Sequence, residues 1–325
     1  MDIREVKTWL GADWERVQDL MARSLGSDIE LLNRVNGSIL SSGGKQIRPV
    51  LSLLVSRACG RINEDSYLFA VAGELLHNAT LLHDDVADES PTRRGLPTVY
   101  SLMGPSTSVL LGDFWLVRAM NCILKAKRNV LEVTEIFSKT LGALAEGEML
   151  QLQKAENSDT TQADYLRIIY SKTASLFEAV AVSAAISVEA STEIVEAVRS
   201  AAMSLGMAFQ MRDDILDYTP GLDIGKPVGA DILERKITLP LLGAFANAGA
   251  AEEARIRALV RNLDGKPSAR EEICAFVREN GGLEYAQNRL DGYIAGALEA
   301  MEILPDTEEK QLLCRVINYV GERRI

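Results

Sequence analysis

A chain of 325 residues with 47% hydrophobic side chains can bury a large core, and a formal charge of −11 excludes bulk electrostatic attraction to nucleic acid or an anionic membrane surface. Aromatic residues make up only 6%. The four cysteines, Cys59, Cys122, Cys274 and Cys314, are widely spread without a C-x-x-C pair, which predicts buried free thiols in a reducing, cytoplasmic setting.

The first stretch, MDIREVKTWLGADWERVQDL, alternates charged with apolar residues and lacks the apolar core of a secretory signal. Residues 1–40 read as helices broken near Gly11 and Gly26, for packing or dimer formation, with nothing catalytic. In GGKQIRP (43–49), Gly43 and Gly44 precede a helix and Pro49 suits its first turn. Lys45 and Arg48 then lie near a helix N-terminus, where backbone N–H groups favour anions. Residues 68–88 form a helix ending in Asp84, Asp85 and Asp88. Asp84 and Asp88 are i and i+4 and share a face, with His77 near it; His83, the only other histidine, points elsewhere. Negative charge is disfavoured at a helix C-terminus, so the placement points to function rather than stability. Clustered carboxylates repel one another unless a cation lies between them, and Mg²⁺ is the usual answer. The loop 89–105, with Pro91, Gly95, Pro97 and Pro105, carries Arg93 and Arg94 back toward these carboxylates.

GDFWLVRAM (112–120) opens another helix, with Asp113 a structural carboxylate. No proline occurs between Pro105 and Pro220, and glycine there is confined to Gly112, Gly142, Gly147 and Gly206, which predicts successive helices. Residues 131–153 are amphipathic, and packing accounts for Glu146, Glu148 and Gln151 as well as function does. Lys172 and Thr173 sit on an otherwise apolar helix; the bland reading of Lys172 is a snorkelling side chain. The longest apolar run, 179–188, is too short to span a bilayer and predicts a core helix. A second D-D-x-x-D, Asp213, Asp214 and Asp217, ends the helix 196–218, with Gln210 within a turn. The following loop brings Lys226, Asp231 and Lys236. One such motif is more often a solvated acidic surface; two, each ending an apolar segment and each followed by basic residues, are hard to dismiss. Beyond 240 the chain reads as helices separated at 280–282 and 304–306, with a capping box at Asp306 and Glu309 and a basic end, Arg323 and Arg324.

GGKQIRP (43–49), LLHDDVADESPTRRGLP (81–97), GDF (112–114), KTASLFE (172–178), FQMRDDILD (209–217) and GKPVGADILERKITLP (225–240) together resemble the polyprenyl synthetase family of trans-isoprenyl diphosphate synthases, in particular its long-chain, octaprenyl-type members. The match runs from about residue 40 to 240. It implies an all-α fold, a single domain (1–325) of long helices around a central apolar cavity. Residues 1–40 are then an N-terminal packing or dimer segment, and 241–325 the C-terminal helices. The implied reaction is head-to-tail condensation of isopentenyl diphosphate with an allylic diphosphate, using two or three Mg²⁺ ions. By resemblance, Asp84, Asp85, Asp88, Asp213, Asp214 and Asp217 are the metal residues. Lys45, Arg48, His77 and Arg94 bind the diphosphate of isopentenyl diphosphate. Arg93, Lys172, Thr173, Gln210, Lys226 and Lys236 serve the allylic diphosphate and the developing carbocation. Many relatives have Gly where this chain has Arg235; the neighbouring Lys236 is retained.

Short-chain relatives carry bulky aromatics four or five residues before the first aspartate. Here those positions are Thr80 and Ala79, with Gly73 deeper on nearly the same face. This predicts products longer than geranylgeranyl diphosphate, with a deeper floor at Phe114, Met120 or Ile123. A homodimer without stable membrane insertion is expected by resemblance. A terpene cyclase would need a glutamate where Gly221 stands and leaves Lys45, Arg48 and Arg94 unexplained. A non-catalytic partner subunit typically lacks one aspartate motif, and a structural Ca²⁺ site would not require the basic residues.

Overall fold

The computed structural model describes residues 2–41, 44–93, 95–219, 228–263 and 267–323. Among them the fold is all-α, as expected; the only strands are the two-residue pair Thr92–Arg93 and Leu96–Pro97, antiparallel. The chain forms two compact units. The first draws on Met1–Ser138, Glu178–Arg199 and Met301–Val316, the second on Lys139–Phe177, Ser200–Ala300 and Ile317–Ile325.

The first unit is built on the helix Glu64–Ala87, against which Ala12–Ser24, Ile47–Cys59 and Pro105–Leu124 pack. It starts four residues before the position expected, because Asn63 closes a capping box. The Asn63 Oδ1 accepts from the Asp65 and Ser66 N–H groups, and Ser66 Oγ accepts from Asn63 N–H. Residues 68–76 of this helix are buried on every side, so its apolarity is that of a core helix rather than of one face. Residues 179–187 of the long apolar run are likewise a core segment, within Ser175–Ser187, and are all buried; Val188 lies past the helix end and is half-buried. Gly73 marks where the two helices cross: a Cβ there would lie 2.3 Å from Val180 Cγ2. Val180 fills the space beside Gly73, so this residue serves close helix packing.

A correction concerns the Pro105–Leu124 helix. It opens at Pro105, whose missing N–H is no loss in a first turn, and not at Gly112. Gly112 lies mid-helix because the His83 ring packs where its side chain would be, 2.4 Å from an added Cβ. This helix is long and apolar enough to cross a membrane by length and composition, although less than half of it is buried here.

In the second unit the chain passes from the helix Gln162–Ile169 through a π-turn, Tyr170–Ala174. Two of the sparse glycines grip that turn. A Cβ on Gly147 would lie 2.6 Å from Ser171 Cβ, and one on Gly206 would lie 2.4 Å from Ala174 Cα. The last helix, Glu308–Glu322, is capped one residue later than predicted. Thr307 Oγ1 accepts from the Lys310 N–H, while Asp306 accepts from Gln311 Nε2. All four cysteines are free thiols, and burial pushes the Cys59 thiol up to about 12.

Gly206→Ala is expected to destabilise the fold by about 1–3 kcal/mol, since backbone rather than a flexible side chain blocks the added methyl. Urea unfolding of the two proteins measures it.

Candidate active site

The first aspartate motif closes the Glu64–Ala87 helix. Asp84 lies in its last turn and Asp88 is the C-cap residue, its N–H donating to Asp84 O at 2.8 Å. Asp85 is buried on the other side of the turn, where Arg93 Nε donates to its Oδ1 at 2.8 Å. The expected return of the loop is thus realised through Arg93. Thr98 closes it, with Oγ1 donating to Ser90 O at 2.7 Å and N–H to Pro91 O at 3.1 Å. Upstream on the same helix, His77 is half-buried and Ala79 buried, and Thr80 Oγ1 donates to His77 O at 2.8 Å. Arg48 is buried in the first turn of Ile47–Cys59, with Lys45 just ahead of it and Pro49 in the same turn. That helix packs on the one bearing His77. Phe114, of the proposed floor, is half-buried with the Arg118 guanidinium 4.7 Å from its ring centroid; Met120 is half-buried and Ile123 buried. Arg94, Lys226, Gly221, Gly43 and Arg324 lie outside the described residues.

The second motif ends the helix Thr192–Asp217, and its three carboxylates have three different environments. Asp213 meets Arg323, whose Nη2 donates to Oδ1 at 2.6 Å and to Phe209 O at 2.9 Å. The Arg323 guanidinium also lies 3.8 Å from the Phe209 ring centroid, a cation–π contact. Asp214 is buried and accepts from Tyr165 Oη at 2.7 Å and Gln210 Nε2 at 2.9 Å. Burial, then the nearby Asp231 charge, holds its carboxyl well above the usual range; the Gln210 and Tyr165 hydrogen bonds oppose that rise. Gln210 Oε1 in turn accepts from Thr173 Oγ1 at 2.9 Å, so Thr173, Gln210, Asp214 and Tyr165 form one chain. Asp217 caps another helix: Oδ1 accepts from Ala230 N at 3.0 Å and Oδ2 from Asp231 N at 3.2 Å. These bonds tie Asp217 to the first turn of the short helix Ala230–Leu233. Asp85 and Asp214 are likewise committed to Arg93 and to Tyr165 with Gln210.

Lys172 lies in the π-turn and forms an ion pair with Glu148, which also accepts from Gln151 Nε2 at 3.3 Å. The snorkelling alternative is thereby replaced by a specific pair. Lys236 pairs with Glu234. Arg235 has φ +57°, the left-handed conformation for which glycine is suited. It follows the helix Ala230–Leu233, with its N–H donating to Ile232 O at 2.9 Å and Lys236 N–H to Asp231 O at 2.9 Å. This is a Schellman ending, so the position where relatives carry Gly is one whose backbone calls for it.

Among the described residues, no group of three His, Cys, Asp or Glu side chains is placed to hold a metal ion. Magnesium does not require one: it commonly takes one or two carboxylates and completes its shell with water and substrate phosphates. Asp84 and Asp88, one turn apart at a helix end, and the half-exposed Asp213 fit that role.

Residues 29–277 match the polyprenyl synthetase family model. The chain belongs to the polyprenyl synthetase family. Within it, the chain is 40% identical to octaprenyl diphosphate synthase from Haemophilus influenzae over 96% of its own length and 94% of the relative's. A solved decaprenyl diphosphate synthase from Rhodobacter capsulatus superposes with a TM-score of 0.93 at 35% identity, covering 99% of both chains. A polyprenyl synthase from Caulobacter crescentus, solved with calcium and isoprenyl diphosphate, gives 0.91 at 31% identity, over 99% of this chain and 98% of that one. Family membership fixes the reaction class as trans-prenyl transfer and agrees with the expected fold. Sequence reading missed Tyr165, 49 residues from Asp214, and no local pattern could have flagged it. It named Arg323, with Arg324, as a basic end of the kind that helps close the site in some relatives, but not as a partner of Asp213.

Arg235→Gly is expected to raise stability by about 0.5–1 kcal/mol by relieving left-handed strain. A higher urea midpoint at unchanged slope measures it.

Proposed function

We propose that this synthase condenses isopentenyl diphosphate with an allylic diphosphate, head to tail, to give all-trans polyprenyl diphosphates longer than C20. The observation that carries the reading is that both acidic helix ends are intact within a near-full-length match to an octaprenyl diphosphate synthase. The decaprenyl synthase of the same fold supports the long product, and Thr80 and Ala79 supply no bulky plug above Asp84. Residues 1–325 work as one synthase domain.

The allylic C–O bond breaks, the isopentenyl double bond forms the new C–C bond, and a proton leaves. Separating charge is the difficult part. Magnesium ions, two or three of them held by Asp84, Asp88 and Asp213 with the substrate's own phosphates, would neutralise the diphosphate as it departs. The Caulobacter crescentus relative was solved with calcium and isoprenyl diphosphate, which supports a divalent cation working beside such a substrate. Arg93, Lys172, Lys226 and Lys236 add fixed positive charge on the leaving side, worth most where water is excluded. Thr173 donates its proton to Gln210, which leaves the lone pairs of its hydroxyl available to a developing carbocation. Lys45, Arg48, His77 and Arg94 hold the second diphosphate, and the released diphosphate takes the proton.

A homodimer, working in the cytoplasm, completes the reading. On Pro105–Leu124, Leu110, Val117 and Leu124 recur every seventh residue and are 68%, 57% and 60% exposed. Asp113 falls on the same stripe and is itself exposed. Lipid would have to desolvate that carboxylate, whereas a second copy can pair it, so the stripe suits a protein neighbour better than a bilayer.

Purified chain given Mg²⁺, farnesyl diphosphate and isopentenyl diphosphate is expected to make products beyond C20 by mass spectrometry. No extension by the chain alone would favour a partner-subunit role. Asp84→Ala should lower kcat by about 100-fold or more, and Ala79→Tyr should shorten the product; an unchanged spectrum refutes the plug argument. Leu110→Asp with Val117→Asp should convert a dimer to a monomer by light scattering.

A further inference from the structure

The first forty residues read from sequence as a packing or dimer-forming segment, yet the charged side chain of Lys7 there turns inward. Lys7, on the helix Ile3–Leu10, is half-buried. Its ammonium donates to Gly44 O at 3.4 Å and to Gln46 Oε1 at 3.3 Å, and lies 4.6 Å from the Trp14 ring centroid. Burial lowers the Lys7 pKa, while the Glu74 and Asp2 charges pull it back up. The two acceptors are the residues on either side of Lys45. Gln46 adopts φ +48°, ψ +46° immediately before the helix Ile47–Cys59, and its side chain does not cap that helix. A non-glycine residue is uncommon in that region, and here its amide oxygen is held by Lys7.

We propose that Lys7 is a positioning residue for the isopentenyl diphosphate site. It holds the Gly44 carbonyl on one side of Lys45 and the Gln46 side chain on the other, so that Lys45 and Arg48 present their charges in one register. The inference rests on the reading of Lys45 and Arg48 given above. The geometry explains why the side chain is a lysine. An ammonium carries three donors and can serve a carbonyl and an amide oxygen at once while resting on an aromatic face. An apolar side chain of similar length would fill the space and hold neither. Without that hold, the backbone at Gly44 keeps the freedom of glycine and must be ordered by the ligand. That cost falls on binding of this one substrate, not on the chemical step.

Steady-state kinetics on the full-length chain, varying each substrate in turn, test the proposal with Lys7→Met, Lys7→Arg and Lys45→Ala. Lys7→Met is expected to raise KM for isopentenyl diphosphate about tenfold, leaving KM for farnesyl diphosphate unchanged and kcat within about threefold. Lys7→Arg, which can still donate to both oxygens and stack on Trp14, should restore most of the loss. If both KM values move together in Lys7→Met, or neither moves, the proposal is overturned. Lys45→Ala separates the two levels. If it leaves KM for isopentenyl diphosphate unchanged, the site reading itself has failed. If it raises that KM while Lys7→Met does not, only the role of Lys7 has failed. Should Lys7→Met fold too poorly to assay, Gln46→Ala breaks the same contact from the loop side and carries the same expectation.

Discussion

Each acidic motif in this protein is a group of carboxylates at the wrong end of a helix. The helix dipole disfavours each exposed carboxylate there by about 0.3–1 kcal/mol, and mutual repulsion adds to that. The fold answers by dividing the labour. One aspartate in the first motif is neutralised by Arg93. In the second, Asp214 is enclosed by Tyr165 and Gln210, and Asp217 is given two backbone N–H groups. In the second motif Asp213 is paired in turn with Arg323, so the aspartates sit in different environments and the motifs are less redundant than three aspartates apiece suggest.

The π-turn at Tyr170–Ala174 belongs to the same economy of position. A π-turn widens the helix and re-aims side chains, and such turns recur at functional sites. Here it sets Lys172 against Glu148 and Thr173 against Gln210, one residue apart. It survives because two glycines let the neighbouring helices close on it. Specificity of this sort is carried by the absence of side chains as much as by their presence.

The region after the second motif shows strain placed beside function. Arg235 takes a backbone conformation that glycine would adopt without penalty, directly before Lys236. Asp217 braces the start of the same short helix. The segment Ala230–Lys236 is therefore tied to one motif residue at its start and passes through a left-handed residue just before Lys236.

The sequence by itself determined the two acidic helix ends, the core segment beginning at Ala179 and a helix with Pro49 in its first turn, because each is a matter of spacing along a few turns, and its family resemblance implied the all-α class. It also singled out Gly112, Gly147 and Gly206 as rare, without saying what each one faces. Only the tertiary structure decided which aspartates are already committed, since their neighbours come from Arg93, Tyr165, Ala230 and Arg323, up to 110 residues away. It likewise showed that Gly73 lies at a helix crossing, and moved the last helix cap from Asp306 to Thr307. The physical reason is the same throughout. Periodicity reports which face of a helix is apolar, whereas hydrogen bonds and close contacts depend on which other helix arrives there.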